Sequence, residues 1–337
     1  MSAKKINIAV AGVGFMGATH LRVYQKIAAA RITALCDVSG RIKNGVLGGV
    51  AGNIQQTNAI HLPAHARIVR RFDDLLELKD LDVIDICTPT ALHASQAIAA
   101  LTAGKHVICE KPLATTAAEA QAAAKVAAKA RRFLMPAMGV RFWPGWSLLK
   151  DVVSNETYGK ILAASFRRLS SRPTWGAATS HPGGALLDLH IHDTDFVNYI
   201  FGRPAAVFCR GVCPDGGPVD HVAAQYIYPH GPVVQAEGTW LQAAGFNMAY
   251  TLYAERATLD YDFQRGAEAL RLTLPGKAPK TVKLPREDGY HLELRHFIDC
   301  VRHGKPSPVV SAQDAVASLE ICEAEEKSVR TGRLVSL

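Results

Sequence analysis

The tightest constraint on the fold lies near the start of the chain. The largely apolar run Ile6–Ala11 leads straight into Gly12-Val13-Gly14-Phe15-Met16-Gly17, and a helical pattern follows. Between a strand and a helix, each glycine of such a loop has a job. Gly12 permits the tight turn, Gly14 lets the backbone approach a pyrophosphate, and Gly17 lets helix and strand pack closely, while the helix N-terminus faces the anion. Phe15 and Met16 complete the loop. The next candidate strand, Ile32–Cys36, ends at Asp37, twenty residues beyond Gly17, where a carboxylate can accept hydrogen bonds from an adenosine ribose. Such a carboxylate repels a 2′-phosphate and favours NAD, while Arg41 close by keeps NADP open. The competing reading, a plain turn with Asp37 as a helix cap, explains each feature singly but not their combination.

Alternation continues through the first 136 residues. Candidate strands at Ile6–Ala11, Ile32–Cys36, Val83–Cys87, His106–Cys109 and Phe133–Met138 are separated by helical patterns at Ala18–Ala29, Leu92–Ala103 and Ala117–Ala130. The last is preceded by a Thr116/Glu119 capping box. This is the βαβ rhythm of a doubly wound parallel sheet, a Rossmann domain over residues 1–136. From 137 to 337 the texture changes. Strands at Ile161–Leu169, Ala205–Val212, Val222–Tyr228, Val233–Trp240, Met248–Ala254 and Ala257–Tyr261 are joined by short turns, with helices at Leu186–Ile200, Leu292–Arg302 and Gln313–Thr331. An α+β domain with an open, mainly antiparallel sheet is expected there.

The chain has 337 residues, 48% hydrophobic and 20% charged, with a formal net charge of +8. The excess of Lys and Arg is dispersed, with no cluster longer than a pair such as Arg70-Arg71 and no interleaved aromatics, which argues against nucleic acid as a partner. Seven cysteines without a Cys-x-x-Cys pair fit a reducing cytoplasm. No run of about eighteen apolar residues suggests a membrane span, and Lys4-Lys5 with the following apolar stretch lacks the cleavage site of a secretory leader.

Ligands of open α/β sheets bind beyond the carboxyl ends of the strands, where Thr88-Pro89 and Glu110-Lys111-Pro112 follow two of them. Lys111 is either a surface lysine before a turn or a catalytic group near the nicotinamide. The later stretch Asp188-Leu189-His190-Ile191-His192-Asp193-Thr194-Asp195 is dense in His and Asp. On a helix, Asp188, His192 and Asp195 share a face, and His190 turns about 200° from Asp188. An imidazole one turn from a carboxylate can take a hydroxyl proton near neutral pH. Two readings compete: a metal-dependent hydrolase using His190, His192 and the nearby aspartates, and a structural one in which His190 is buried and hydrogen-bonded while Asp193 and Asp195 are solvated.

Taken together, the glycine loop, Thr88-Pro89 with His93, Glu110-Lys111-Pro112, Gly183-Gly184 leading to Asp188 and His192, and the closing helices resemble the Gfo/Idh/MocA oxidoreductases, the glucose-fructose oxidoreductase and inositol dehydrogenase family. The resemblance covers nearly the whole chain. It implies a second domain that binds substrate and often forms an oligomer interface, hence a homo-oligomer, dimer or tetramer, acting on a sugar, glycoside or cyclitol in an interdomain cleft. It also implies roles: Lys111, Asp188 and His192 as the catalytic set, and Gly12, Gly14, Phe15, Met16, Gly17, Asp37, Thr88, Pro89, His93, Glu110 and Lys111 around the cofactor. Arg168, Trp175 and His291 are further substrate candidates, and Arg141 lies in a segment that can line the cleft. No metal is expected. A member that binds NAD(H) without turnover, as a sensor or scaffold, is the alternative class.

Overall fold

The computed structural model describes residues 5–50, 58–173 and 183–337. Of these, one compact unit holds the chain up to Gly139 and the stretch Gly289–Val316, and a second holds Val140 to Asp288 and Ala317 to Leu337. The linear division expected at 136/137 therefore misses one thing: Gly289–Val316 belongs with the first unit. An amphipathic helix can cover any apolar surface, and periodicity does not say which.

The first unit is built on a six-stranded sheet of β1 (Ile6–Ala11), β2 (Ala30–Cys36), β3 (Arg67–Val69), β4 (Val83–Ile86), β5 (His106–Glu110) and β6 (Leu134–Ala137), in the order β3-β2-β1-β4-β5-β6. All pairings are parallel. The strands are short apolar runs because helices cover both faces. Helices α1 (Phe15–Tyr24), α2 (Phe72–Leu76), α3 (His93–Thr102) and α4 (Ala117–Ala130) provide the crossovers. From β1 the order runs to β2 on one side and β4 on the other, which makes the carboxyl ends of β1 and β4 the topological switch point.

Several local features differ from expectation. The first helix starts at Phe15 and ends at Tyr24 rather than spanning Ala18–Ala29. β3 was not legible, since three residues flanked by charge carry no periodicity. A small ribbon at 42–43, 46–47 and 60–61 lies between β2 and β3 in the chain. Helix α4 has the expected cap: Thr116 accepts from the Glu119 amide, and the Glu119 carboxylate accepts from the Thr116 amide.

The second unit opens with α5 (Pro144–Ser154). Pro144 reads as a breaker in the sequence, yet in the first helical turn its missing N–H costs nothing. A nine-stranded sheet follows, made of β7 (Ile161–Ser171), β8 (Ala206–Val212), β9 (His221–Ile227), β10 (Val233–Thr239), β11 (Leu241–Ala254), β12 (Ala257–Asp262), β13 (Leu270–Thr273), β14 (Lys280–Thr281) and β15 (Val335–Ser336). Its order is β14-β13-β12-β11-β7-β10-β9-β8-β15. Only β7 with β10 is parallel; the other pairs are antiparallel. One face holds the core. Trp146 is fully enclosed there, with Phe196, Tyr250, Phe166 and Tyr261 at ring-centroid distances of 4.9, 5.2, 5.9 and 6.1 Å. Gly145 allows this, because a Cβ there would come within 2.5 Å of the Tyr261 ring. On the other face Ser165 and Arg167 of β7 stand beside Gln235 and Glu237 of β10. Helices α6 (Ile191–Phe201), α7 (Gly289–His303) and α8 (Ala312–Thr331) complete the chain. Among the described residues no helix is long and apolar enough to cross a membrane.

Replacing Thr116 by Ala removes one half of the α4 capping box. The expected loss is about 1 kcal/mol, read as a lower urea midpoint with an unchanged slope.

Candidate functional site

The glycine loop has the geometry its sequence demands. Gly12 sits at φ +88°, and a Cβ there would lie 2.6 Å from the Cys87 carbonyl oxygen. A Cβ on Gly17 would lie 1.9 Å from the Gly12 carbonyl oxygen. Gly14 is different: nothing lies within 4 Å of the position its Cβ would take. It is also the N-cap of α1, with no side chain capping the helix and no acidic residue in its first turn. The first amides of α1 thus begin beside open space, with the helix dipole unopposed, which is the cradle an anionic pyrophosphate needs. The residues present fit a dinucleotide.

Asp37 follows β2 and is nearly buried. Its Oδ1 accepts from the Ser39 amide at 2.9 Å and the Ser39 hydroxyl at 2.5 Å, and its Oδ2 accepts from the Arg41 amide at 3.0 Å. Burial alone would raise its pKa, but the hydrogen bonds from Ser39, Ile42 and Arg41 outweigh it and hold the carboxyl below the usual range. The group is ionised and fixed. The Arg41 Nε donates to the Ser39 hydroxyl at 3.1 Å.

At the ends of β4 and β5, the Thr88 hydroxyl donates to Gln96 at 2.7 Å, and Pro89 precedes the short turn Thr90–Leu92. His93, which the resemblance places around the cofactor, points inward. It is buried, with Nδ1 2.8 Å from the Pro112 carbonyl and Nε2 2.7 Å from the Thr88 carbonyl. It ties the Thr88-Pro89 turn to the Lys111-Pro112 turn. Burial lowers its pKa, against the two carbonyl hydrogen bonds that raise it. Lys111 is half-buried, and its amide donates to the Glu110 carboxylate at 3.1 Å.

Sequence reasoning overlooked a buried cluster behind this loop. His20 on α1 has Nδ1 2.8 Å from Asp85 Oδ2 and Nε2 3.3 Å from Glu110 Oε1, while Cys87 Sγ lies 3.4 Å from Nδ1. Burial is the largest single influence on His20 and opposes protonation, but Asp85 and Cys87 together outweigh it and raise its pKa well above the ordinary value. The signal was in the sequence: Asp85 is a charge within Val83-Ile84-Asp85-Ile86, a strand buried on both faces, where a carboxylate needs a partner. Among the described residues His20, Asp85 and Cys87 form the one group close enough to suggest a metal. The 2.8 Å Nδ1–Oδ2 separation is that of a hydrogen bond; two ligands of one tetrahedral zinc stand about 3.3 Å or more apart.

In the second unit Asp188 and His192 are both partly accessible, while His190 between them is fully buried. The helix here is not the regular one expected: Leu186–His190 is a π-helical turn leading into α6. Such widened turns recur at functional sites, and their single extra residue leaves no mark in the periodicity. His190 Nε2 lies 3.3 Å from the Tyr226 hydroxyl and 3.4 Å from Glu325 Oε1. Its ring packs where Gly238 leaves room, since a Cβ there would come within 2.6 Å of the His190 Cβ.

Asp193 and Asp195, which the structural reading took as solvated, are buried. Asp193 pairs with Arg168 through two bonds of 2.8 and 3.1 Å, and Asp195 with Arg141 through two of 2.8 and 2.7 Å. This corrects two expectations. Arg168, one of the substrate candidates, is 2% exposed and paired with Asp193, so its guanidinium is not open to a substrate. The hydrolase reading fails as well, because His190 faces Tyr226 and Glu325, and both aspartates face arginines. Trp175 lies outside the described residues. His291 is a half-buried residue of α7 in the first unit.

A parallel crossover sheet with a glycine loop at its switch point is the frame of a dinucleotide-binding domain. Residues 6–138 match the family model described as "Oxidoreductase family, NAD-binding Rossmann fold", and residues 146–260 match the GFO/IDH/MocA C-terminal domain. The chain belongs to the Gfo/Idh/MocA family. It is 27% identical over 345 residues to myo-inositol 2-dehydrogenase of Thermotoga maritima, covering 98% of both chains. Levoglucosan dehydrogenase in complex with NADH and L-sorbose superposes with a TM-score of 0.81 at 22% identity, covering 99% of each chain. Aldose-aldose oxidoreductase from Caulobacter crescentus, complexed with glycerol, gives a TM-score of 0.83 at 23% identity, with 99% of this chain and 100% of that one covered. These two structures share the fold.

The raised pKa of His20 stabilises the fold fully below pH about 6.5, the unfolded value, and this contribution disappears as pH rises through the folded pKa. The Tm gap between wild type and His20→Asn should therefore be widest near pH 5.5 and narrow steadily towards pH 9 in a thermal-melt series. Arg168→Ala leaves Asp193 buried and unpaired, with an expected cost of about 3–5 kcal/mol in chemical denaturation; a double change to Arg168→Met and Asp193→Leu should recover most of it.

Proposed function

We propose that the chain is an NAD-dependent dehydrogenase that oxidises a secondary alcohol of a sugar, glycoside or cyclitol, with Lys111, Asp188 and His192 as its catalytic groups. The observation that carries this reading is Gly14, open on its Cβ side at an uncapped helix N-terminus, with Gly12 and Gly17 packed too closely for any side chain. That arrangement suits a dinucleotide held by Gly12, Gly14, Phe15, Met16 and Gly17, with Asp37 at the adenosine ribose and Thr88, Pro89, Glu110 and Lys111 towards the nicotinamide. When bound, the nicotinamide supplies the hydride chemistry. The polyol and sugar names of the relatives support the substrate class.

The residues divide the remaining work. His192 takes the hydroxyl proton, for which a partly accessible imidazole is suited near neutral pH. Asp188, four residues earlier across the widened turn, stabilises the imidazolium. The Lys111 ammonium offsets the developing alkoxide charge, an effect on the order of a hundredfold or more. Residues 1–136 carry the cofactor, and the α+β region binds substrate. The open face of the nine-stranded sheet, with Arg167 and Glu237 side by side, is proposed as the surface on which copies of the chain associate into a dimer or tetramer.

Asp37, ionised and nearly buried, argues for NAD over NADP. Fluorescence titration should show NADH bound at least tenfold more tightly than NADPH, about 1.4 kcal/mol; equal affinities would remove Asp37 as selector. With a panel of inositols, free sugars and glycosides, Lys111→Ala should lower NADH formation at saturating NAD by a hundredfold or more. Unchanged turnover would show that Lys111 is not catalytic.

A further inference from the structure

The Glu110-Lys111 turn is held from behind by a side chain that no sequence motif singles out. His20 projects from α1 into the space between the ends of β4 and β5, and it is fully buried. The groups around it come from α1, β4 and its end, and β5. Asp85 and Cys87 come from β4 and its end, Glu110 from β5, and Tyr24 from the next turn of α1, edge-on with ring centroids 6.4 Å apart. Glu293 of α7 contributes its charge at Tyr24.

The protonation of the ring follows from its partners. Nδ1 is hydrogen-bonded to Asp85 at 2.8 Å, and an ionised carboxylate only accepts. Nε2 stands 3.3 Å from a Glu110 oxygen as an ion-pair contact rather than an aligned hydrogen bond. An unprotonated Nε2 at that distance would set a lone pair against a carboxylate. Both nitrogens therefore carry protons, and the imidazolium lies between two acids. The second oxygen of Glu110 accepts the Lys111 amide at 3.1 Å. One carboxylate thus links the ring on α1 to the backbone of the turn that presents Lys111.

We infer that His20 is a positioning residue for Lys111, acting through the carboxylate of Glu110. The inference rests on Lys111 being the catalytic lysine proposed above. Glu110 is itself nearly buried. Without the proton-bearing Nε2 edge of His20 facing it, its carboxylate has less reason to stay inside and turns towards solvent, releasing the Lys111 amide. Asp85 keeps a separate tie, because the Cys87 thiol donates to its other oxygen at 3.3 Å. The loss therefore falls on the Lys111 turn and not on the strand.

Two near-isosteres separate the ring's two edges. His20→Gln puts an amide N–H where Nε2 was, facing Glu110, and His20→Asn keeps only the edge facing Asp85. Hydrogen exchange at the Lys111 amide, read by NMR on the full chain, should accelerate tenfold or more in His20→Asn and less than threefold in His20→Gln, with Ile84 and Ile108 in the neighbouring strands unchanged. Glu110→Gln gives a second route. Its single oxygen turns to the imidazolium, and the Lys111 amide should again exchange at least tenfold faster. Turnover should follow the same order, falling tenfold or more in His20→Asn and recovering in His20→Gln, with NADH affinity within twofold in both His20 variants. Unchanged Lys111 exchange in both His20→Asn and Glu110→Gln would overturn the inference, as would equal losses in the Asn and Gln variants. If exchange responds as expected while turnover does not, His20 positions the turn but Lys111 is not the catalytic group.

Discussion

The close approach of α1 to the strands beneath it is the constraint on which the first unit depends. At Gly17 the helix lies so near the Gly12 carbonyl that a Cβ would stand 1.9 Å from it, and at Gly12 the loop lies against the Cys87 carbonyl. Contact this tight fixes the direction of the helix relative to β1 and β4, and hence where its first amides point. It also brings His20, on the next turn of α1, over the ends of β4 and β5. The same glycines that make room for a pyrophosphate therefore place an imidazolium beside Asp85 and Glu110. A bulkier residue at Gly17 would disturb both the anion site and the buried ion cluster, because both are consequences of one packing distance.

The second unit solves an equivalent positioning problem with charge rather than with glycine. Arg168 reaches from β7 to Asp193, with its guanidinium also 5.2 Å from the centre of the Trp146 ring. Arg141 reaches Asp195 while lying 4.2 Å above the Tyr199 ring, and Ser318 donates to the same carboxylate at 3.0 Å. Paired and hydrogen-bonded on several sides, these charges avoid the desolvation penalty of an isolated ion. They hold the helix at positions that a purely apolar contact would allow to slide, since hydrophobic packing is non-directional and a bidentate arginine is not.

The sequence made the strands of the first unit legible because burial on both faces leaves continuous apolar runs, and the glycine loop legible because backbone conformation dictates residue type. β3 and the small ribbon were hidden because two or three residues cannot show a period. α5 was hidden because Pro144 means "stop" inside a helix and "start" at its first turn. Of the candidate site, Glu110, Lys111, Asp188 and His192 stand out by type and neighbourhood, but the direction of a side chain does not. His93 and Arg168 have the chemistry expected of a binding site, yet both point inward, one to two backbone carbonyls and the other to a carboxylate.

Asp85, Asp193 and Asp195 show where the reading could have gone further. Asp85 sits in an apolar run, and all three are at most 1% exposed. A carboxylate in such surroundings is costly unless paired, so its presence implies a buried cation even when the partner is far away in sequence: 65 residues for Asp85 and His20, 25 for Asp193 and Arg168, 54 for Asp195 and Arg141. The pattern in α6 is specific. Asp193 follows His192 directly and Asp195 lies three residues beyond it, so the helix is pinned on two sides immediately after the proposed base. His192 can be partly accessible and still hold its direction because the residues that fix it are its buried neighbours. The widened turn before it then absorbs the one-residue mismatch between a helix pinned by Arg168 and Arg141 and a preceding segment that buries His190 against Gly238. Asp188 and His192 lie on opposite sides of the junction between that turn and α6. The distance between their side chains is therefore set by a backbone irregularity that the buried ion pairs hold in place.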